Sequence, residues 1–320
     1  MSAATPGDAR AGDAPSEKQP GGDAPPDVVL FDGELVAPGE AQVSAFDRGL
    51  LYGESLFETL KVVDGAPCLW RPHLERLTSA CGELGLSLDV AGLEQGVRRL
   101  LLARPVPHGA LRIQVTGGEQ PGGGRGLSAP GAGRRPRVIA SVTAVSPQPA
   151  HVFERGVDVV TAADLGRPLP WLKSGSYLAS VAAKMRAEEA GAFECLLVSG
   201  EPARLLEGSF SNVLMWDGAC LVSAPGRSRL VGVTETVVVQ AARTMGMVTN
   251  ERPVALEELW AVEARGLLLT GSLLGVCSCA SLDGRPLVTS GTVADTLRRA
   301  LREQESASRV EWERGREYGS

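Results

Sequence analysis

The chain has 320 residues, of which 43% are hydrophobic, and it carries a formal net charge of −6. At roughly 100 to 200 residues per domain, this length indicates two domains with substantial cores. An acidic chain without a basic cluster excludes a nucleic-acid partner, because phosphate neutralisation needs a concentrated positive face, so we expect a small-molecule ligand.

The N-terminal part of the sequence predicts a short tail followed by strands and two helices. Residues 1–26 are rich in Pro, Gly, Ala, Asp and Ser, so burial of side chains cannot offset the entropy lost on ordering, and we expect a disordered tail. Further on, the pattern predicts a hairpin at 28–36, strand-like segments at 42–44 and 56–63, helices at 72–84 and 93–103, and strands at 110–115 and 138–142.

A segment between the last two strands, residues 117–135, is dense in Gly and Pro. Such a composition is typical both of flexible filler and of an active-site loop, and composition alone favours filler.

The C-terminal part mixes strands and helices without strict alternation. Strands are predicted at 156–162, 195–198, 211–216, 220–222 and 267–270, a hairpin turn at 283–284, and helices at 177–190, 233–245 and 293–302. This pattern predicts an α+β protein with two unequal domains. We place a small domain at 27–147, a linker at 148–151, a large domain at 152–303 and a charged tail at 304–320.

The cysteines and the lengths of the apolar segments indicate the cellular compartment of the protein. The six cysteines mostly lie inside apolar runs and show no paired C-x-x-C spacing, which favours buried free thiols over a metal site. No stretch approaches the ~20 apolar residues of a membrane span, and the first 26 residues lack the apolar centre of a signal peptide. We therefore expect a cytoplasmic protein with no membrane partner.

Lysine is unusually scarce in this chain. Of the 32 basic residues, 28 are arginines, and the lysines are Lys18, Lys61, Lys173 and Lys184. A guanidinium stays protonated and cannot form an imine, so a lysine in an apolar setting suggests a need for a primary amine. Lys173 follows Leu169-Pro170-Trp171-Leu172, where desolvation would lower its pKa and supply neutral amine. A lysine snorkelling at a domain edge would have the same local sequence.

Six motifs in one order give the sequence a recognisable framework. They are Asp47-Arg48-Gly49 with Tyr52-Gly53 and Leu56-Phe57-Glu58-Thr59; His73-Leu74-Glu75-Arg76-Leu77; Lys173-Ser174 with Tyr177-Leu178; Leu206-Glu207-Gly208-Ser209-Phe210-Ser211-Asn212; Gly232-Val233-Thr234; and Leu269-Thr270-Gly271-Ser272. In these motifs the chain resembles the class-IV aminotransferases, pyridoxal-phosphate (PLP) enzymes of fold type IV. This family includes branched-chain and D-amino-acid aminotransferases, R-selective amine transaminases and aminodeoxychorismate lyase, and the resemblance runs from about Phe31 to Leu287.

The resemblance implies a role for each of the matching residues. Lys173 matches the lysine that holds PLP as a Schiff base and moves a proton at the substrate carbon. Arg76 matches the arginine that binds the cofactor phosphate, for which its forked guanidinium is suited. Tyr177 matches a tyrosine near the phosphate or the ring oxygen. Glu207 matches the carboxylate that pairs with the pyridine nitrogen and keeps the ring able to accept electrons.

Two glycine-containing motifs are implied to cradle the phosphate. Val233 and Thr234 open a helix whose free amides face the anion, and Gly271 and Ser272 follow a strand. On the substrate side we predict Phe57 as a substrate residue, and Arg112 and Arg125 as candidate binders of a substrate carboxylate.

The sequence departs from family patterns at three positions. Glu235 stands where an arginine often follows the Gly-x-Thr motif. Gly117 stands where D-amino-acid aminotransferases carry an arginine, and Gly271 stands where many lyases show an asparagine.

We therefore predict a PLP-dependent aminotransferase that moves an amino group between an amino acid or amine and a keto acid. The alternatives are an aminodeoxychorismate lyase, which releases pyruvate and p-aminobenzoate, and a catalytically inactive PLP-binding protein. The cofactor site is expected between the domains. The family also implies a homodimer.

Overall fold

The computed structural model describes residues 27–120, 127, 133–261 and 266–315. The predicted disordered tail at 1–26 and Arg125 lie outside the described residues. Within them, two separate sheets with helices packed on both make up the protein, which confirms the predicted α+β class.

A six-stranded sheet forms the first half of the fold. Its strands are β1 (Val29–Phe31), β2 (Glu34–Val36), β3 (Ser55–Val63), β4 (Ala66–Pro67), β5 (His108–Thr116) and β6 (Val138–Ala144). Their order is β2-β1-β6-β5-β3-β4, with antiparallel pairing throughout. Three helices accompany this sheet: α1 (Arg48–Tyr52), α2 (Trp70–Glu83) and α3 (Val90–Ala103). Leu77, Val97 and Leu111 belong to the core that the helices and the sheet share.

A larger mixed sheet forms the second half. Its strands are β7 (Val157–Ala162), β8 (Glu194–Ser199), β9 (Arg204–Gly208), β10 (Asn212–Trp216), β11 (Cys220–Ser223), β12 (Val248–Glu251), β13 (Gly266–Gly271), β14 (Gly275–Leu282) and β15 (Arg285–Pro286). The order is β12-β11-β10-β13-β14-β7-β8-β9, with β15 beside β14. Its helices are α4 (Ala150–Glu154), α5 (Leu178–Glu189), α6 (Val233–Thr244), α7 (Glu258–Ala261) and α8 (Gly291–Arg314).

The inner strands of the larger sheet are apolar on both faces. Strands β8, β10 and β13 are buried almost from end to end, which explains their nearly continuous apolar sequences. By contrast, strand β5 alternates buried and less buried residues over most of its length, as expected where one face is more open.

The hairpin turns follow the chemistry read from the sequence. At Asp32-Gly33, Asp64-Gly65 and Asp283-Gly284 both residues have positive φ angles. This conformation is the one that two-residue hairpins of type I′ require, and Asp-Gly is among its preferred sequences. The predicted hairpin at 28–36 and the predicted turn at 283–284 are confirmed.

Two sequence predictions of local structure are wrong. Residues 42–44, predicted to be strand-like, form no strand. The last helix, predicted at 293–302, is α8 and continues to Arg314 through most of the predicted charged tail.

Helix α8 is longer than predicted because its packed face continues beyond residue 302. Two positions on that face hold polar residues instead of apolar ones. Ala294, Leu297, Leu301 and Trp312 are buried on one face. Between them Glu305 forms an ion pair with Lys61, and the Ser308 hydroxyl accepts a hydrogen bond from the Leu69 amide at 2.9 Å. Trp312 then packs edge-on against Trp70 of the first core, with ring centres 4.9 Å apart. The packed residues keep the helical spacing, but Glu305 and Ser308 interrupt the apolar pattern in the sequence.

The domain limits stay a prediction from the sequence. The helix α4 begins at Ala150, inside the predicted linker 148–151, and α8 contacts the cores of both sheets.

All six cysteines are free thiols, and all but the half-buried Cys220 are buried, which agrees with the sequence prediction. Among the described residues no helix is both long and apolar enough to cross a lipid bilayer. The cytoplasmic location stays a prediction.

Candidate active site

Lys173 lies where the two halves of the fold meet. The Phe57 amide of β3 donates a hydrogen bond to the Lys173 carbonyl at 2.9 Å, and the Gly175 amide donates to the Ser55 carbonyl at 2.7 Å. The segment before α5 is therefore fixed along the edge of β3. A Cβ atom at Gly175 would lie 2.0 Å from the Ser55 hydroxyl, so this approach requires glycine.

The amine of Lys173 is held among aromatic rings. Its Nζ lies 4.5 Å from the ring centre of Phe57 and 5.8 Å from that of Tyr177. Burial, reinforced by the positive charge of Arg76, lowers the pKa of Lys173 to about 8. Neutral amine, which a nucleophilic lysine requires, is therefore more abundant near neutral pH than at an ordinary lysine.

Arg76 is held in place by a buried carboxylate that the sequence did not single out for a role. Its Nε and Nη2 donate to the two oxygens of Glu58 at 2.7 Å each, and its Nη1 donates to the Val231 carbonyl at 2.8 Å. Glu58 also contacts Nδ1 of His73 at 2.7 Å. Arg76 and the histidine favour the ionised form, and the pKa of Glu58 falls to about 2 although burial acts in the opposite direction.

Glu207 is paired with an arginine that the sequence analysis missed. Both Nε and Nη2 of Arg167 donate to Glu207 Oε1, while the Leu230 amide donates to Oε2 at 3.3 Å. Burial raises the pKa of the Glu207 carboxyl, and the charge of Arg167 opposes this rise. Arg167 thus favours a carboxylate at this position. Arg167 lies six residues before Lys173 in a segment with no periodicity, so no sequence signal pointed to it.

Glu194 holds the turn that follows Glu207 by accepting hydrogen bonds from it. The Oε1 atom of this fully buried carboxylate accepts from the Cys195 amide at 2.8 Å, the Ser209 amide at 3.0 Å and the Ser209 hydroxyl at 2.5 Å. Its Oε2 accepts from the Phe210 amide at 3.2 Å and the Ser211 hydroxyl at 2.8 Å. Both serines of the Glu-Gly-Ser-x-Ser motif therefore bind Glu194. Their role is to fix the turn.

The two predicted phosphate cradles lie in the same region. Helix α6 begins at Val233 with Gly232 as its N-cap, so its first amides lack acceptors within the helix. Thr234 is buried and lines the pocket, whereas the Val233 side chain packs into the core behind it. Gly271 and Ser272, at the end of β13, line the pocket as well.

Glu235, the departure noted in the sequence, has a structural explanation. Its carboxylate is buried and pairs in a bidentate manner with Arg229, with the Nη2–Oε1 distance at 2.6 Å. The negative charge next to the phosphate cradle is therefore neutralised by an arginine six residues earlier in the chain.

The predicted substrate residues differ in their placement. The ring of Phe57 packs edge-on against Tyr177, with ring centres 5.1 Å apart. The guanidinium of Arg112 stacks on the same ring, 4.0 Å from the Phe57 ring centre. Arg112 and Lys173 therefore both lie against the ring of Phe57. Arg125 lies outside the described residues.

One pocket brings most of the predicted cofactor residues together. Its lining includes seven of them: Arg76, Lys173, Tyr177, Glu207, Thr234, Gly271 and Ser272. Thr270 also lines it, and its hydroxyl is buried without a hydrogen-bond partner in the part of the chain that the structure describes. A cationic group and a helix N-terminus suit an anion, a pKa-lowered amine suits a carbonyl, and the Glu207 carboxylate suits a protonated nitrogen.

Comparison with known proteins agrees with this arrangement. The family model for class IV amino-transferases matches residues 55–282. A bifunctional aminodeoxychorismate lyase and D-amino acid transaminase of Mycobacterium tuberculosis is 31% identical over 284 residues, covering 81% of this chain and 92% of that protein.

Solved structures give the same result. The 4-amino-4-deoxychorismate lyase of Pseudomonas aeruginosa superposes with a TM-score of 0.74 at 30% identity, covering 86% of this chain and 98% of that one. A hypothetical aminotransferase from Mycobacterium tuberculosis in its PLP-bound form gives a TM-score of 0.72 at 26% identity, covering 88% and 100%. The predicted fold type is confirmed. With a family model that spans well over half of its residues, the chain belongs to the class IV aminotransferase family.

Proposed function

We propose that this protein is a PLP-dependent aminotransferase in which Lys173 binds the cofactor covalently. The observation that carries the proposal is the position of Lys173, with its pKa near 8, in the same pocket as Arg76 and Glu207. An amino donor and a keto acid acceptor are the substrates that this activity requires.

The residues of the pocket fit PLP at both ends. The phosphate would be held by Arg76, the first amides of α6 and the Ser272 hydroxyl, because a charged fork, a helix N-terminus and a hydroxyl all favour an anion. The pyridine nitrogen would face Glu207. The unpartnered hydroxyl of Thr270 is a buried polar group that a bound ligand would satisfy.

The cofactor supplies an electron sink that makes the hydrogen on the substrate carbon acidic. With the cofactor bound, the Nζ of Lys173 would take this proton from the substrate carbon and return it. Glu207 would hold a proton on the ring nitrogen, and the charge of Arg167 opposes the rise that burial gives to the pKa of Glu207. Phe57 and Tyr177 exclude water from the amine by their edge-on packing.

Arg112 is proposed to bind a substrate carboxylate. Its guanidinium and the amine of Lys173 both lie against the ring of Phe57. Partial burial lowers the pKa of Arg112 without removing its charge, since arginine remains protonated in proteins. An amino acid would then be oriented by its carboxylate with its amine towards Lys173.

A lyase activity is the second candidate, because two relatives at 30% identity or more are named aminodeoxychorismate lyases. One experiment separates the two reactions. Stoichiometric amine added to the PLP-loaded protein without a keto acid converts the cofactor to pyridoxamine phosphate in an aminotransferase. Release of p-aminobenzoate and pyruvate from aminodeoxychorismate, with no conversion by any amino acid or amine, would instead identify a lyase.

We further propose a homodimer through the surface formed by α1 and the start of α5. Leu50 on α1 is 69% exposed, and Leu178, Val181 and Met185 form an exposed apolar stripe on α5. The two helices adjoin, since the Ser176 hydroxyl donates to the carbonyl of Gly53, the C-cap of α1, at 3.3 Å. An exposed apolar patch of this kind is typical of an interface.

The proposed interface is tested by molar mass in solution. Leu178→Glu is expected to yield monomers in light scattering after gel filtration, because a charge would be buried without a partner. Leu102→Glu, at a 65% exposed position on α3, is the matched control and should leave the dimer intact. A monomeric unmodified protein, or a dimeric Leu178→Glu variant, would contradict this interface.

A further inference from the structure

A buried chain of polar groups links the two halves of the fold beside the phosphate cradle. Glu58 of β3 holds Arg76 through both oxygens, and its Oε2 also contacts Nδ1 of His73 at 2.7 Å. The other ring nitrogen of His73, Nε2, lies 3.4 Å from the Ser272 hydroxyl of the large sheet. Glu58 and His73 are almost fully buried, and neither lines the pocket.

The position of the hydrogen atoms in this chain follows from the charge of Glu58. With a pKa of about 2 this carboxylate is ionised and can only accept, so Nδ1 of His73 must carry the proton. In neutral His73, Nε2 is then an acceptor, and the Ser272 hydroxyl donates its hydrogen to it. In protonated His73, Nε2 is a donor, and the Ser272 hydrogen is free to point elsewhere.

These two states present different groups to the pocket. With neutral His73, Ser272 offers only oxygen lone pairs to a ligand, which repel a phosphate oxygen. With protonated His73, Ser272 offers a donor. The charged groups around the imidazole are Glu58, Arg76 and Lys173; burial and the two cations lower the pKa of His73, whereas Glu58 raises it. The net direction is downward, so the histidine is neutral before an anion binds.

We propose that Glu58 and His73 are positioning residues of the phosphate site, and that phosphate binding draws one proton from solvent onto Nε2 of His73, which turns the Ser272 hydroxyl towards the phosphate. Glu58 has two tasks in this arrangement. It orients the guanidinium of Arg76, and it stabilises the imidazolium that forms. The inference rests on the proposed PLP site.

The direct test is proton uptake, measured by calorimetry at pH 8 in buffers of different ionisation enthalpy. Pyridoxamine 5'-phosphate and pyridoxamine are the probes, because neither forms a covalent bond with Lys173 and they differ only in the phosphate. At pH 8 the phosphate is already a dianion, since its second pKa is about 6. The expected result is greater proton uptake with the phosphorylated probe, by up to about one proton per site, in the unmodified protein.

Two variants assign the effect to its residues. His73→Gln is expected to lower the extra proton uptake by the share that the histidine takes up, because the amide cannot be protonated. What remains is the share of Lys173, which is half protonated at pH 8 because its pKa is about 8. Glu58→Gln is expected to weaken binding of pyridoxamine 5'-phosphate roughly tenfold or more, and of pyridoxamine far less, since only the phosphate loses an oriented charge partner. Glu305→Gln is the matched control, a buried carboxylate paired with Lys61 outside this pocket, and should resemble the unmodified protein.

The outcomes distinguish this inference from the proposed function. Equal proton uptake with both probes in the unmodified protein would overturn the inference even if both variants fail to fold. Extra uptake that is as large in His73→Gln as in the unmodified protein would also overturn it. Either result, obtained with a protein that binds pyridoxamine 5'-phosphate, leaves the PLP site standing. Failure of the unmodified protein to bind this probe at all would overturn both.

Discussion

Replacing Glu194 by Gln should loosen the turn that carries Glu207. The carboxylate accepts five hydrogen bonds, three at Oε1 and two at Oε2. The amide NH2 of glutamine is best placed on the Oε2 side, where the Ser211 hydroxyl can rotate and accept from it. The Phe210 amide cannot do so and loses its acceptor.

The cost can be estimated from this single loss. An unsatisfied buried donor costs about 1–3 kcal/mol, and less where the donor is only partly buried, as at the half-exposed Phe210. The remaining bonds also lose their charge assistance. Removal of the desolvated charge offsets part of this. We expect a net loss of about 1–3 kcal/mol in the free energy of unfolding, measured by urea denaturation without added cofactor, and a melting temperature lower by several degrees.

Glu188→Gln provides the matched control for this measurement. Glu188 is exposed on α5, 3.7 Å from Lys184, and its replacement should change stability as little as a surface substitution usually does. If Glu194→Gln unfolded at the same urea concentration as this control, the carboxylate would not hold the turn, and the explanation of the Ser209 and Ser211 positions would be refuted.

Three further predictions concern the pocket. Glu207→Gln should retain PLP but reduce turnover roughly a hundredfold or more, because a neutral amide cannot stabilise a protonated ring nitrogen; near-normal rates would show that Glu207 does not face the ring. Arg112→Ala should raise KM for amino acids and scarcely affect simple amines, and an equal effect on both would argue against carboxylate binding. The rate at which the apoprotein reacts with PLP should increase with pH and level off above about 8, because the lowered pKa of Lys173 supplies neutral amine from there upward; an increase continuing towards 10.5 would contradict a desolvated amine.

The sequence predicted the residues that lie along motifs, and it missed their partners. Lys173, Arg76 and Glu207 belong to motifs with fixed local spacing, so their presence and order could be read directly. Their partners are brought close only by folding. Glu58 is 18 residues from Arg76, and Arg167 is 40 residues from Glu207. No period or spacing connects such pairs.

The same limit applies to the secondary structure. Periodic apolar patterns predicted helix α2 and the hairpins well, because local spacing specifies them. The sequence predicted an end of helix α8 at 302 because the buried Glu305 and the half-buried Ser308 lie on its packed face. Their partners Lys61 and Leu69 lie more than 200 residues earlier in the chain. A polar residue looks exposed in a sequence until its partner is known.

The central claim is that Lys173 binds the cofactor, and chemical trapping tests it most directly. The protein reconstituted with PLP is treated with borohydride, digested, and mapped by mass spectrometry. A single reduced pyridoxyl adduct on Lys173 is expected, with loss of the yellow absorbance band and no adduct in Lys173→Ala. An adduct on Lys18, Lys61 or Lys184 instead of Lys173 would contradict the account.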